Sequence, residues 1–266
     1  MNQPNSHRDV VCCLWAGHDL PGYSANQYTE LDVWNLWRGV HQHVTNGRLT
    51  VLADETWYER LTAPKAAETS KHLTDEEVVA IEHTLNVRPM KGHGTKHRGW
   101  THVFEAFDPD LRKALDVRAG QRLVAVGLDT IFVRNSDWLW EWEMSPVGLP
   151  ADPYSLNGAP CDAVITMNLE GSRQIWDEWV RSEAADPGSF PHMYAGKPSE
   201  MALLQACYAR LGWTKLEGDT MDKLASYKAL VKPYGLPDHT TVVYFHGKPK
   251  PRDLRATDPI GKLVMR

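Results

Sequence analysis

The sequence predicts an α/β architecture with a mostly parallel central sheet flanked by helices. Two observations carry this. Short runs of β-forming residues alternate with segments of helical spacing along the chain. The length of 266 residues, at 42% hydrophobic and 24% charged, suits one large soluble domain with a substantial core.

The elements follow in order. Residues 9–15 (DVVCCLW) form an apolar, β-rich run and predict the first strand. A loop with Gly, Pro and Asn breakers follows. From Tyr28 to Val44, Leu31, Trp34, Leu36, Trp37, Val40 and Val44 recur near helical spacing. LTVLADE predicts a second strand ending at Asp54. Thr74-Asp-Glu-Glu77 is a capping box that opens a helix to about Leu85. A Gly-rich basic segment and a short amphipathic stretch, Trp100 to Phe107, come next. Residues 121–133 predict a buried strand, and Cys161 to Met167 another. Gly171–Glu183 and Ser199–Leu211 read as helices, and Thr240–Phe245 as the last strand. In such sheets ligands sit beyond the carboxyl ends of strands. Residues 15–17, 54, 127–130 and 245–250 are therefore expected on one rim.

Composition narrows the function. The net charge of −5 is uneven: residues 86–104 carry four Lys/Arg, three His and no acid, and residues 248–266 carry six Lys/Arg against two acids. Each is either a basic surface on an acidic body or a solvated loop. Cys12, Cys13, Cys161 and Cys207 form no CxxC pair, so reduced thiols are expected and a structural zinc site is not. The amino terminus has no apolar signal core and no run reaches the length of a membrane span, which predicts a cytoplasmic chain. GxGxxG, GxxxxGK[ST] and GxSxG are absent.

Two stretches carry chemistry. LVAVGLDTIFVRNSD places one acid, Asp129, inside an apolar run. A buried charge there needs a partner, a metal or a ligand. VVYFHGKPKP delivers His246 from a strand, then a glycine, then Lys248 and Lys250, each followed by a proline that stiffens the loop. Fixed cations at such spacing suit a diphosphate. A solvated basic turn is the plain alternative.

With these residues in place, the chain resembles nucleotide-sugar glycosyltransferases of the A-type fold. The likeness is to the glycogenin-like and bacterial lipopolysaccharide galactosyltransferase group and its bacterial relatives. It rests on Leu14-Trp-Ala-Gly17 with Tyr23, Val126-Gly-Leu-Asp-Thr-Ile-Phe-Val-Arg-Asn135 and Phe245-His-Gly-Lys-Pro-Lys-Pro251, in order along residues 9–252. The resemblance implies a single Rossmann-like domain over residues 1–266, with a basic tail from about 252. It implies a nucleotide-diphosphate sugar, UDP-linked, as donor, and retention at the anomeric carbon; inversion with Asp162 or Glu200 as base is the alternative.

The resemblance also assigns residues. Trp15, Ala16, Gly17 and Tyr23 correspond to the base pocket, with Asp54 near the base. Trp100 and His102 match a segment that contacts donor phosphate. Leu128, Asp129 and Thr130 form the central motif. His246, Gly247, Lys248 and Lys250 form the diphosphate clamp, and Asp129 and His246 would hold Mn²⁺ or Mg²⁺. Asp162 and Glu200 join Asp129 as catalytic candidates. The pattern is broken twice: Gly127 stands where the motif has its first acid, and Tyr244 stands at one family position for the metal histidine. Lys248, Lys250 and Arg252 are then the alternative to an ion. The acceptor is a saccharide or glycolipid, or a hydroxymethylpyrimidine in DNA as for phage-type relatives, with the basic segments as a phosphate track. A catalytically silent nucleotide-sugar-binding protein is the reading from another class. A two-metal phosphoesterase lacks the His and Asp ligands it would need.

Overall fold

The structure, a computed structural model, describes residues 7–15, 28–63, 72–91, 100–185, 191–194, 197–216 and 223–264. The first apolar run forms β1 (Arg8–Leu14), buried along most of its length like other strands inside parallel sheets. α1 (Glu30–His43) begins where the Thr29 amide donates to Asp32 Oδ2 at 2.7 Å. It packs Val33, Trp34, Trp37 and Val40 into the core. β2 (Gly47–Ala53), α2 (Glu55–Thr62), α3 (Asp75–Thr84) and β3 (Leu85–Pro89) follow. The capping box of α3 is formed as expected: the Glu77 amide donates to Thr74 Oγ1 at 3.3 Å, and the Thr74 amide to Glu77 Oε2 at 3.0 Å.

A 3₁₀ helix spans Trp100–Phe107 and leads into α4 (Pro109–Ala114). Next come β4 (Leu123–Val126), β5 (Thr130–Phe132), α5 (Trp138–Glu141), β6 (Val147–Leu149) and β7 (Val164–Met167). α6 (Leu169–Ala185), β8 (Met193–Tyr194), β9 (Lys197–Pro198), α7 (Glu200–Leu211) and β10 (Thr214–Lys215) follow, and β11 (Leu224–Ser226) and β12 (Val242–Tyr244) close the set.

The main sheet has seven strands in the order β10-β6-β7-β4-β1-β2-β3. The pairings β4–β1, β1–β2, β2–β3 and β10–β6 are parallel, and β7 runs antiparallel to both neighbours. Val10, Cys12 and Leu14 share one core with α1; Val11 shares the other with Phe104, Trp179 and Leu203, from the 3₁₀ helix, α6 and α7. This is the α/β layer arrangement that the alternating pattern predicts.

The run at 121–133 is not one strand. β4 ends at Val126 in the main sheet, and β5 starts at Thr130 in a second sheet of order β11-β12-β5. There Thr130 pairs antiparallel with Tyr244. Gly127, Leu128 and Asp129 are the crossing between sheets. Both halves of the run are buried, so hydrophobicity continues across a break that periodicity cannot register. The last apolar run, β12, also belongs to this second sheet. The chain after it turns back onto the sheet and buries Leu254 and Ile260 beside Tyr227 and Phe245. Among the described residues, no helix is long and apolar enough to cross a membrane.

Candidate active site

The carboxyl ends of β1, β4 and β12 open on a cleft of about 920 Å³ including its mouth. Trp15 follows β1, Leu128 and Asp129 lie in the sheet crossing, and His246 follows β12; all line it. Asp162 and Glu200 approach from the segment before β7 and from the first turn of α7. Tyr28, just before α1, completes the polar lining. Of the expected rim, Trp15, residues 127–130, Phe245 and His246 meet here, from segments far apart in sequence.

Asp129 has the partner that its burial demands. Its Oδ2 lies 2.5 Å from Lys250 Nζ, which is also 3.1 Å from Tyr28 Oη and 4.7 Å from the centre of the Tyr28 ring. Lys250 is 5% exposed, so this pair is largely shielded from water. Its loop is held twice more: the Lys250 amide donates to Asp253 Oδ2 at 2.8 Å, and Arg252 pairs with the fully buried Asp32 of α1. Burial, only partly opposed by Thr29 and Arg252, raises the Asp32 carboxyl above its ordinary value. Lys248 behaves differently. Gly247 turns the chain at φ 67°, in the left-handed region that favours glycine, and leaves Lys248 exposed. Two lysines expected to act alike therefore diverge, one turned inward and one in solvent.

Asp129 also explains Gly127. A Cβ at that position would lie 2.6 Å from Asp129 Oδ1. Gly127→Ala must shift the Asp129 carboxylate beside Lys250, and is expected to lower stability by about 1 kcal/mol in a urea titration. Unchanged stability would mean that Asp129 moves freely.

His246 stands edge-on to Tyr244 at 5.1 Å and to Tyr154 at 5.6 Å between ring centroids. Burial lowers its pKa, against the pull of Asp152, Asp162 and Asp129, so the imidazole is neutral at pH 7. Its Nε2 is buried without a hydrogen-bond partner among the described residues. Asp162 and Glu200 are hydrogen-bonded to each other. Burial raises both, and Asp162 adds its charge to push Glu200 to about 8. At pH 7 Glu200 keeps a proton that it donates within the pair.

Asp129 and His246 are the expected ligands for Mn²⁺ or Mg²⁺, and both reach the cleft. The donor set does not fit such an ion. Asp129 Oδ2 is taken by an ammonium, and among the described residues no three His, Cys, Asp or Glu side chains form a group that could hold a metal.

Other expected residues fall elsewhere. Leu128 and Thr130 line the cleft and are buried. Asp54 does not line it; its carboxylate accepts from the Trp57 amide at 3.0 Å and caps α2. Ala16, Gly17 and Tyr23 lie outside the described residues, as do the side chains of Trp100 and His102. The 3₁₀ helix carrying the latter pair reaches the cleft through Val103, Ala106 and Phe107. Of the basic segment 86–104, Arg88 donates to the Ala114 carbonyl and Lys91 pairs with Asp108 at 2.7 Å.

Sequence reasoning missed Tyr28, Asp152 and Lys228. Tyr28 is the first residue of a helical pattern and carries no mark of a ligand. Asp152 bends its own loop, accepting from the Tyr154 amide at 2.9 Å, and faces His246 by tertiary placement. Lys228 arrives through strand register: Ser226 pairs with Tyr244, so the residues after each strand emerge together.

No family model and no curated protein matches this sequence. Solved structures do. The chain is similar to the glycosyltransferase GlyE of Streptococcus pneumoniae TIGR4, in its apo form and in a second structure. Each has a TM-score of 0.58 over 97% of this chain, at 11% and 10% identity. The chain spans 59% of the length of those chains. At this identity the likeness is one of fold: the mostly parallel sheet with flanking helices is that of a glycosyltransferase fold.

Proposed function

We propose that the protein is a glycosyltransferase that moves a sugar from a nucleotide-diphosphate donor, UDP-linked, to an acceptor hydroxyl. The observation that carries this reading is the meeting of Asp129, the Asp162–Glu200 pair and His246 in one cleft at strand carboxyl ends. The glycosyltransferase fold supports it.

In this reading Trp15 offers a flat face to the base. Asp129, held by Lys250, presents Oδ1 to donor hydroxyls. The carboxyl pair grips the sugar: Asp162 and Glu200, hydrogen-bonded to each other, accept from its hydroxyls with their remaining oxygens and fix the anomeric carbon before the acceptor. The acceptor oxygen bonds to that carbon as the bond to the phosphate oxygen breaks. The electron pair leaves with the diphosphate, and the acceptor proton passes to the departing phosphate oxygen. Attack and departure on one face give retention.

The acceptor favoured here is a saccharide or glycolipid. A DNA track would draw on the basic tail, yet Lys250 and Arg252 are spent in internal ion pairs. The test is calorimetric titration with UDP, followed by transfer assays with UDP-sugars and the anomeric configuration of the product by NMR. The expected result is UDP binding lost in Asp129→Ala, and a product with the donor's configuration. UDP bound without turnover on any acceptor would leave a nucleotide-sugar-binding protein. Activity on hydroxymethylated DNA that falls steeply with salt would replace the saccharide acceptor.

A further inference from the structure

We propose that the donor's diphosphate is held by ammonium groups of the chain, Lys228 foremost with Lys248, in place of a divalent ion. This rests on the nucleotide-diphosphate reading and goes beyond it in naming Lys228 and the source of the positive charge.

Two observations lead there. The carboxylate expected to bind an ion is already neutralised. Lys250 Nζ sits 2.5 Å from Asp129 Oδ2 and 3.1 Å from Tyr28 Oη, and the lysine is 5% exposed. A second acid is missing at 127: the residue is Gly127, and the place of its Cβ lies 2.6 Å from Asp129 Oδ1. A phosphate site that lacks a metal still needs fixed cations.

Lys228 meets that need. It lies in the π-helical turn Tyr227–Val231, which follows β11 directly and is tied down where Ser226 Oγ accepts from the Ala229 amide at 3.3 Å. Such turns recur at functional sites. β11 runs parallel beside β12, and this register delivers Lys228 to the His246–Gly247 corner. Its Nζ is 3.8 Å from the place of a Gly247 Cβ. Its charge acts on His246, opposing the three nearby aspartates. Among the described residues no carboxylate pairs with it, whereas Lys250 and Arg252 both have partners. Lys228 and Lys248 therefore bracket Gly247 with two positive charges that no carboxylate among the described residues pairs, the charge a divalent ion would bring. The acids facing the same corner are Asp129, Asp152 and Asp162, and Lys250 cancels the first.

The experiment is calorimetric titration of the full chain with UDP, once in EDTA and once in Mn²⁺, for the natural protein, Lys228→Met and Lys228→Arg. Uridine is titrated alongside as a probe without phosphate. UDP is expected to bind with the same affinity, within about twofold, in EDTA and in Mn²⁺. Lys228→Met is expected to weaken UDP about 10- to 100-fold, as for a lost charge-assisted hydrogen bond, and to leave uridine unchanged. Lys228→Arg should recover most of the loss, which separates charge from folding. UDP binding that appears only with Mn²⁺ overturns this inference and leaves the donor reading standing. UDP affinity unchanged in Lys228→Met also overturns it. Absence of UDP binding under every condition removes the donor reading itself, and this inference with it.

Discussion

Lys250→Ala is expected to lower the unfolding free energy by about 3–5 kcal/mol, read as a shift of the urea midpoint. The size follows from where the charge is left. Asp129 and Lys250 have side chains 14% and 7% exposed, so water solvates the survivor poorly. Tyr28 is deprived of a hydrogen bond and of a cation over its ring in the same step. Much of the effect is the cost of a stranded carboxylate. The double variant Asp129→Asn with Lys250→Met should therefore be more stable than Lys250→Ala alone. If Lys250→Ala costs under about 1 kcal/mol, the pair behaves as a surface ion pair and the picture of a shielded one fails.

Asp162→Asn is expected to lower kcat by about 10²- to 10³-fold, the scale of removing one preorganised hydrogen-bonding group from a reacting centre. Glu200→Gln should keep most of the activity at pH 7, because the amide replaces a carboxyl that is protonated there. The two differ because burial and the neighbouring charge lift Glu200 to about 8, from an ordinary value of 4.5. Above pH 8 Glu200 gives up its proton, and the hydrogen bond that it donates to Asp162 is gone. Activity should fall through that range in the natural protein and stay level in Glu200→Gln. Stability follows the same proton. Between 4.5 and about 8 the folded chain holds a proton on Glu200 that the unfolded chain has released. Rising pH therefore destabilises the natural protein across that window, with no effect of this group below it and the full cost above it. Thermal melts from pH 6 to 9 should show that slope shrink in Glu200→Gln. A Glu200→Gln enzyme as inactive as Asp162→Asn would mean that Glu200 works as a base.

The pattern of apolar residues already contained most of the architecture. Alternating strands and helices marked the α/β class, and β1, α1 and α3 fall where spacing and caps place them. Those signals are local, because side-chain period and cap chemistry act within a few residues. The same locality made Asp129 stand out, since one acid in an apolar run needs a partner wherever the chain goes.

Pairing between distant segments was a matter for the tertiary structure. It split residues 121–133 between two sheets, and it turned Asp54 into a helix cap. It sent Lys250 inward to Asp129 across 121 positions of sequence while leaving Lys248 in solvent. It joined Asp162 to Glu200, and brought Lys228 to Gly247 through the register of β11 on β12. Sequence alone marked which residues carry charge and which runs bury. Strand order and register decided which charges meet, because such meetings occur only when segments far apart along the chain are laid side by side.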